Sequence, residues 1–197
     1  MRQNVSLAEI SDGHLYKAND MVKADCGGCE GCSQCCRGMG ISIILDPYDV
    51  YRLTTGIGKS MQELLATSVE LNVVDGVILP NLKMQGTREA CAYLDTEGRC
   101  SIHPYRPGIC RLFPLGRHYE NGGLFYFLQT GECAKENRSK VKVSKWIDTP
   151  ELKRNEQFKL QWHDLLSAMT DRVAGEDEGK QREENLLLLR LFYLLPY

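Results

Sequence analysis

Five cysteines crowd into the eleven residues CGGCEGCSQCC: Cys26, Cys29, Cys32, Cys35 and Cys36. Four more follow at Cys91, Cys100, Cys110 and Cys133. Thiolates at C-x2-C spacing wrap one ion or cluster with little backbone strain. The glycines between them permit the tight turns this requires. A chain with this run is built round metal-binding loops before it is built round anything else.

The redox setting decides between metal and disulfide. The amino terminus, MRQNVSLAEISDGHLYKAND, holds no apolar stretch able to act as the core of an export signal. The expected location is therefore the cytoplasm, where thiols stay reduced and structural disulfides are disfavoured. An odd count of nine also fits a complete disulfide framework poorly. With 43% hydrophobic and 25% charged residues the chain reads as an ordinary globular protein. A net charge of -2 points to neither nucleic acid nor an anionic membrane as partner. The longest apolar run, Leu186 to Leu195, is broken by Arg190 and falls short of the ~20 residues that span a bilayer. It predicts a helix packed on the domain or in the seam of a homo-oligomer, and no membrane span.

Local signals divide the chain into a lead-in (1–25), a cysteine-cluster domain (26–133) and C-terminal helical support (134–197). Asp46-Pro47 reads as an N-cap and first-turn proline opening a helix through Leu53. Ser60 and Glu63 form a capping box for a second helix near Met61–Leu71. Asp75-Gly76 between β-branched runs predicts a type I′ hairpin. A second hairpin pairs Cys110–Tyr119 with Leu124–Thr130 across Asn121-Gly122-Gly123. The turn-rich segment from Cys91 to Cys110 reads as a second metal-lining loop. Thr149-Pro150-Glu151 opens a helix to about Val173, GEDEGKQREEN is polar and loose, and Leu186–Leu195 closes the chain as a helix. The fold class expected is α+β: a small domain with irregular cysteine-rich loops, short hairpins and C-terminal helices.

Thiolate sulfur is a soft ligand, suited to Zn2+, Cu(I) and iron–sulfur clusters. Cys26, Cys29, Cys32 and Cys36 have the C-x2-C-x2-C-x3-C spacing of bacterial ferredoxins. Cys35 and Cys36 are adjacent, so their side chains generally point apart and serve one tetrahedral ion awkwardly. Eight or nine thiols exceed what one four-ligand centre needs, which leaves two centres or one centre with spare thiols. Arg37, Arg99, Arg106 and Arg111 each lie within four residues of a cysteine, and such cations tune anionic sites. His103 stands before Pro104 and reads as a turn residue; His14, His118 and His163 have no partner in sequence. None of the common nucleotide, zinc-protease or serine-hydrolase motifs is present.

CxxCxxCC at Cys29, Cys32, Cys35 and Cys36, followed by CAYLDTEGRCSIHPYRPGICRLFPLG, resembles the YkgJ-type zinc- or iron-chelating cysteine-cluster family. The matching pieces are Cys91 with Leu94, Cys100 with Ile102, Arg106-Pro107, Cys110-Arg111, Phe113-Pro114 and the later Cys133. The resemblance implies a metal-binding domain with all nine cysteines as candidate ligands and Arg37, Arg106 and Arg111 beside the cofactor. The ligand register stays open between Cys26, Cys29, Cys32, Cys36 and Cys29, Cys32, Cys35, Cys36. Flagellin lysine N-methylases share a similar cysteine core, which implies an iron–sulfur centre and methyl-transfer chemistry. Pro107 and Pro114 flank Cys110 and hold its sulfur in place, with Leu112 and Phe113 as a shield from water. The expectation is a [4Fe–4S] protein with a redox or enzyme-supporting role and an unidentified redox partner. The alternatives are a structural zinc module and a cluster-containing lysine N-methyltransferase.

Overall fold

Ser60 closes the capping box its sequence announces, and Asp46, read from sequence as an N-cap, closes one as well. Each side chain accepts the N–H of the third helical residue, and that residue's carboxylate reaches back to the cap. The computed structural model describes residues 6–27, 32–135 and 137–195. Its helices are α1 Leu7–Ile10, α2 Pro47–Ile57, α3 Met61–Thr67, α4 Gly108–Leu112, α5 Val143–Ile147, α6 Leu152–Val173 and α7 Glu178–Leu189. Its strands are β1 Met21–Asp25, β2 Val69–Val74, β3 Val77–Leu82, β4 Met84–Gln85, β5 Ala90–Cys91, β6 Leu115–Glu120, β7 Gly123–Leu128 and β8 Ser139–Lys142. Among the described residues they form antiparallel pairs only: β1–β8, β2–β3, β4–β5 and β6–β7. The fold is α+β, as expected.

The β2–β3 turn has Asp75 at φ 50° and Gly76 at φ 83°, the double positive φ of a type I′ turn. Asn121 and Gly122 repeat it between β6 and β7. Two boundaries differ from the sequence reading. Helix α2 runs on to Ile57 and stops at the left-handed Gly58, because Gly56 is tolerated inside it. A Cβ at Gly56 would stand 2.3 Å from the ring of Tyr105, so this glycine lets the cysteine loop pack on the helix. Helix α3 ends at Thr67, where the β-branched run starting at Val69 pairs as β2.

Three further differences concern whole elements. The segment predicted as a strand from Cys110 begins as helix α4, and the strand starts only at Leu115. Pro107 enters in an extended conformation, and its carbonyl accepts the Arg111 N–H to close the turn. The polar stretch read as loose is most of helix α7. Asp177 caps it through the N–H groups of Gly179 and Lys180, and Asn185 is buried inside the fold. Strand β1, unanticipated from sequence, alternates exposed and buried residues and pairs with β8.

There are two apolar clusters. The larger joins Leu45, Leu53, Leu64 and Leu82 to Trp162, Val173, Leu188 and Tyr193 of the C-terminal segment. The smaller holds Val22, Ala24, Leu112, Leu115, Tyr126, Val143 and Ile147. Complete burial of a leucine contributes about 2 kcal/mol, and Leu45, Leu53 and Leu64 are all fully buried. Helix α4 lies at the seam: Ile109 and Cys110 pack on the first cluster, Leu112 within the second. Among the described residues no helix is long and apolar enough to cross a membrane.

Candidate metal centre

A short 3-10 turn, Gln34–Cys36, presents the end of the first cysteine run. The Cys36 N–H donates to Ser33 O at 3.0 Å, and Arg37 Nε donates to Ser33 Oγ at 3.2 Å. Arg37 then bridges to Ala90, and the Gly38 N–H donates to Glu89 O at 3.0 Å. Those bonds zip the turn against the strand residue next to Cys91.

From there the chain doubles back. Leu94 N–H donates to Cys91 O at 2.9 Å, and Asp95 accepts the Arg99 N–H at 2.7 Å through Oδ1. Leu94 pairs with Cys100 in an isolated bridge, which sets Cys91 and Cys100 side by side. His103 occupies a 3-10 turn, His103–Tyr105, that swings the chain towards α4 and Cys110.

The electrostatics reports the outcome. Burial pushes the Cys110 thiol well up, and the neighbouring charges of Cys91, Asp49, Cys35 and Cys100 add to it. Cys91 is raised by burial, with Cys100 and Cys35 acting in the same sense. Cys100 is raised by burial and by Cys35, and lowered by Arg106. Cys35 is raised by its hydrogen bond to Cys36, then by burial, while Arg106 opposes. Cys35, Cys91, Cys100 and Cys110 thus sit within each other's fields, with Cys36 attached through Cys35. Such thiols are protonated as they stand and give up their protons to a soft cation.

The donor set fits a soft metal or cluster by its chemistry: four thiols of the softest protein ligand type, gathered in partial burial. Among the described residues no three Cys, His, Asp or Glu side chains are drawn together closely enough to hold one ion. Neutral thiols pack as small apolar groups. The eight described cysteines are all free thiols, and Cys29 lies outside the described residues.

The predicted arginines part company. Arg106 acts on both Cys35 and Cys100, and its Nε is buried without a hydrogen-bond partner. Arg111 is buried and occupied: Nη1 donates to Asp148 O at 2.7 Å and Nη2 to Pro104 O at 2.6 Å. It ties α4 to the end of α5. Arg37 braces the cysteine turn through Ser33. Cys26, Cys32 and Cys133 line a small cavity together with Cys35, beside Phe113, Pro114 and Trp146.

A buried charge cluster behind α4 escaped the sequence reading. Lys159 of α6 pairs with Asp46 and lies 3.9 Å from Asp49, all three buried. Asp49 also accepts the Gly108 N–H at 2.7 Å. Asp46 and Asp49 were legible only as cap residues. The available signal was Lys159 itself, which shares a helical stripe with Trp162 and Leu166 at i+3 and i+7. A cavity of about 860 Å³ opens beside the thiols, reached by Cys35 and Cys110 and flanked by Ile43, Ile44, Arg117 and His163.

No protein of curated function and no solved structure matches the chain. The pattern of one family does match, over residues 28–141, more than half of the chain, and it covers the cysteine turn, the doubled-back loop and α4. Gathered thiols and matched pattern agree: the chain belongs to the CxxCxxCC family, described as a "Putative zinc- or iron-chelating domain".

Proposed function

We propose that the protein binds an iron–sulfur cluster of the [4Fe–4S] type through Cys35, Cys91, Cys100 and Cys110. What supports this reading is the match to a zinc- or iron-chelating pattern over all four cysteines, together with the lining of one cavity by Cys35 and Cys110 from distant stretches of chain. Four thiolates are the complement such a cluster takes. Arg106 is the cation that offsets their charge. Bound there, the cluster supplies one-electron transfer. The chain's own residues set its polarity, through the half-buried Cys91 and Cys100 and the hydrogen bond between Cys35 and Cys36.

The role is redox or enzyme-supporting, in the reducing cytoplasm. A cluster-containing protein-modifying enzyme, such as a lysine N-methyltransferase, is a second reading. It is favoured by the 860 Å³ cavity that reaches Cys35 and Cys110, of a size that takes a small-molecule ligand. Self-association would use Leu186, Leu187 and Leu191, each about half exposed on the last helical segment.

Anaerobic purification with iron, zinc and acid-labile sulfide analysis tests the cluster. About four irons and four sulfides per chain are expected. Stoichiometric zinc without sulfide, from iron-replete cells, would replace the cluster with the structural zinc module.

A further inference from the structure

None of the candidate metal ligands lines the groove between the first turns of α2 and α6. Helix α2 contributes Pro47, Tyr48 and Tyr51 to it. Helix α6 and the turn before it contribute Pro150, Asn155 and Phe158, with Glu151 and Arg154 exposed at the edge. Tyr48 and Tyr51 lie three residues apart and so share one face of α2. Their rings run nearly parallel, with centroids 6.3 Å apart at 25°, and Phe158 meets Tyr48 edge-on at 6.4 Å and 62°. The cavity over this aromatic floor measures about 460 Å³, the size of a ligand pocket. Its edge is open to solvent at Tyr51, which is 42% exposed, and at Pro150.

We propose that this groove docks a proline-rich segment of a partner protein, held in the polyproline II conformation. Two prolines and three aromatic rings make the lining largely apolar, the kind of surface on which such segments dock. The polar groups left free are matched to carbonyls. Among the described residues neither the Tyr48 hydroxyl nor the Asn155 side-chain amide has a hydrogen-bond partner. Both groups can donate. Proline brings backbone acceptors and no N–H.

Charge narrows the class further. Glu151 and Arg154 are the ionic residues of the lining, and their charges cancel. A nucleotide would set its phosphates against Glu151, and an organic cation would meet Arg154. A neutral backbone meets neither conflict. A polyproline II segment is also preformed and needs no internal hydrogen bonds, so its docking carries little ordering cost. The open edge lets such a chain run on past the groove. The site is independent of which metal the four-thiol set takes.

The test is calorimetric titration of the full-length protein, purified anaerobically, with a synthetic polyproline peptide of about ten residues, roughly 30 Å long in this conformation. A flexible Gly-Ser peptide of the same length is the control. Saturable binding of polyproline is expected, about tenfold or more tighter than the control. Tyr51→Ala, at an exposed position, and Asn155→Ala should each weaken it about tenfold, the scale of an interface anchor, while keeping the melting temperature and metal content of wild type. Absence of polyproline binding to the wild-type protein at millimolar peptide overturns the proposal, and that reading needs no variant. So does equal binding of the two peptides, or full affinity in folded Tyr51→Ala and Asn155→Ala. AMP or tetramethylammonium bound in place of the peptide overturns it too, and makes the groove a small-molecule pocket.

Discussion

The backbone N–H of Gly108 donates to Asp49 Oδ1 at 2.7 Å, hanging the helix that carries Cys110 on the first turn of α2. Asp49 also closes the capping box with Asp46, which pairs with the buried Lys159 of α6. Three helices meet at one carboxylate pair, two residues before a candidate ligand.

Space at that joint is short. A Cβ on Gly108 would lie 3.1 Å from Arg117 Nη2, 3.3 Å from Lys159 Nζ and 3.4 Å from Asp49 Oδ1. Gly108→Ala should therefore cost about 1–3 kcal/mol, the usual penalty for overpacking, and lower metal occupancy by displacing Cys110. Unchanged denaturant midpoint and metal content would show that the neighbours yield freely.

Burial pushes Asp49 up to about 6, against the pull of the Gly108 N–H, Arg117, Arg52 and Arg111. Its unfolded value is about 3.9, so the folded state favours the protonated acid. The contribution of Asp49 to stability is thus fullest below about pH 4 and is lost as pH rises through 6. Replacing it with asparagine removes the titration. Relative to Asp49→Asn, wild type should lose up to about 3 kcal/mol between pH 4 and 7. Parallel stability curves for the two proteins over that range would refute the assignment.

Cysteine replacements should sort by place rather than by motif. Cys35→Ser, Cys91→Ser and Cys110→Ser should lose iron and sulfide, because each removes one of four mutually coupled thiols. Cys36→Ser should keep both, since Cys36 acts on Cys35 by hydrogen bond and charge but does not figure among the principal charges on Cys91, Cys100 or Cys110. Iron lost from a folded Cys36→Ser protein, with iron kept in Cys35→Ser, would reverse their roles.

Asn185 holds α7 to the β2–β3 hairpin. Its Oδ1 accepts the Ile78 N–H at 2.6 Å, and Nδ2 donates to Gly76 O at 3.1 Å and Gln181 O at 2.9 Å. Asn185→Ala strands buried backbone groups and should cost about 1–3 kcal/mol. Truncation after Ser144 goes further, removing Trp162, Val173, Leu188 and Tyr193 from the main cluster. That protein should fail to fold cooperatively; a sharp thermal transition with metal retained would mean the core survives without them.

Much of this was open to a reader of the sequence, and for local reasons. The N-cap at Asp46, the capping box at Ser60, the Asp75-Gly76 and Asn121-Gly122 turns and the cysteine spacing are short-range: neighbouring residues alone satisfy the backbone or set the φ angles. The family pattern is local in the same sense, a string of cysteines, prolines and arginines at set intervals. What required tertiary structure was every grouping made at a distance. Cys35 comes to line one cavity with the distant Cys110, and the bridge from Arg37 to Ala90 holds the cysteine turn beside the strand of Cys91. Cys133 comes to line a small cavity with Cys26, Cys32 and Cys35, a grouping that no spacing along the chain announces. Lys159 looked like an ordinary helix residue until α2 supplied the carboxylates that allow its burial. Spacing along a chain names the ligand type; which ligands share a site depends on pairing between distant segments, and only the folded chain determines that.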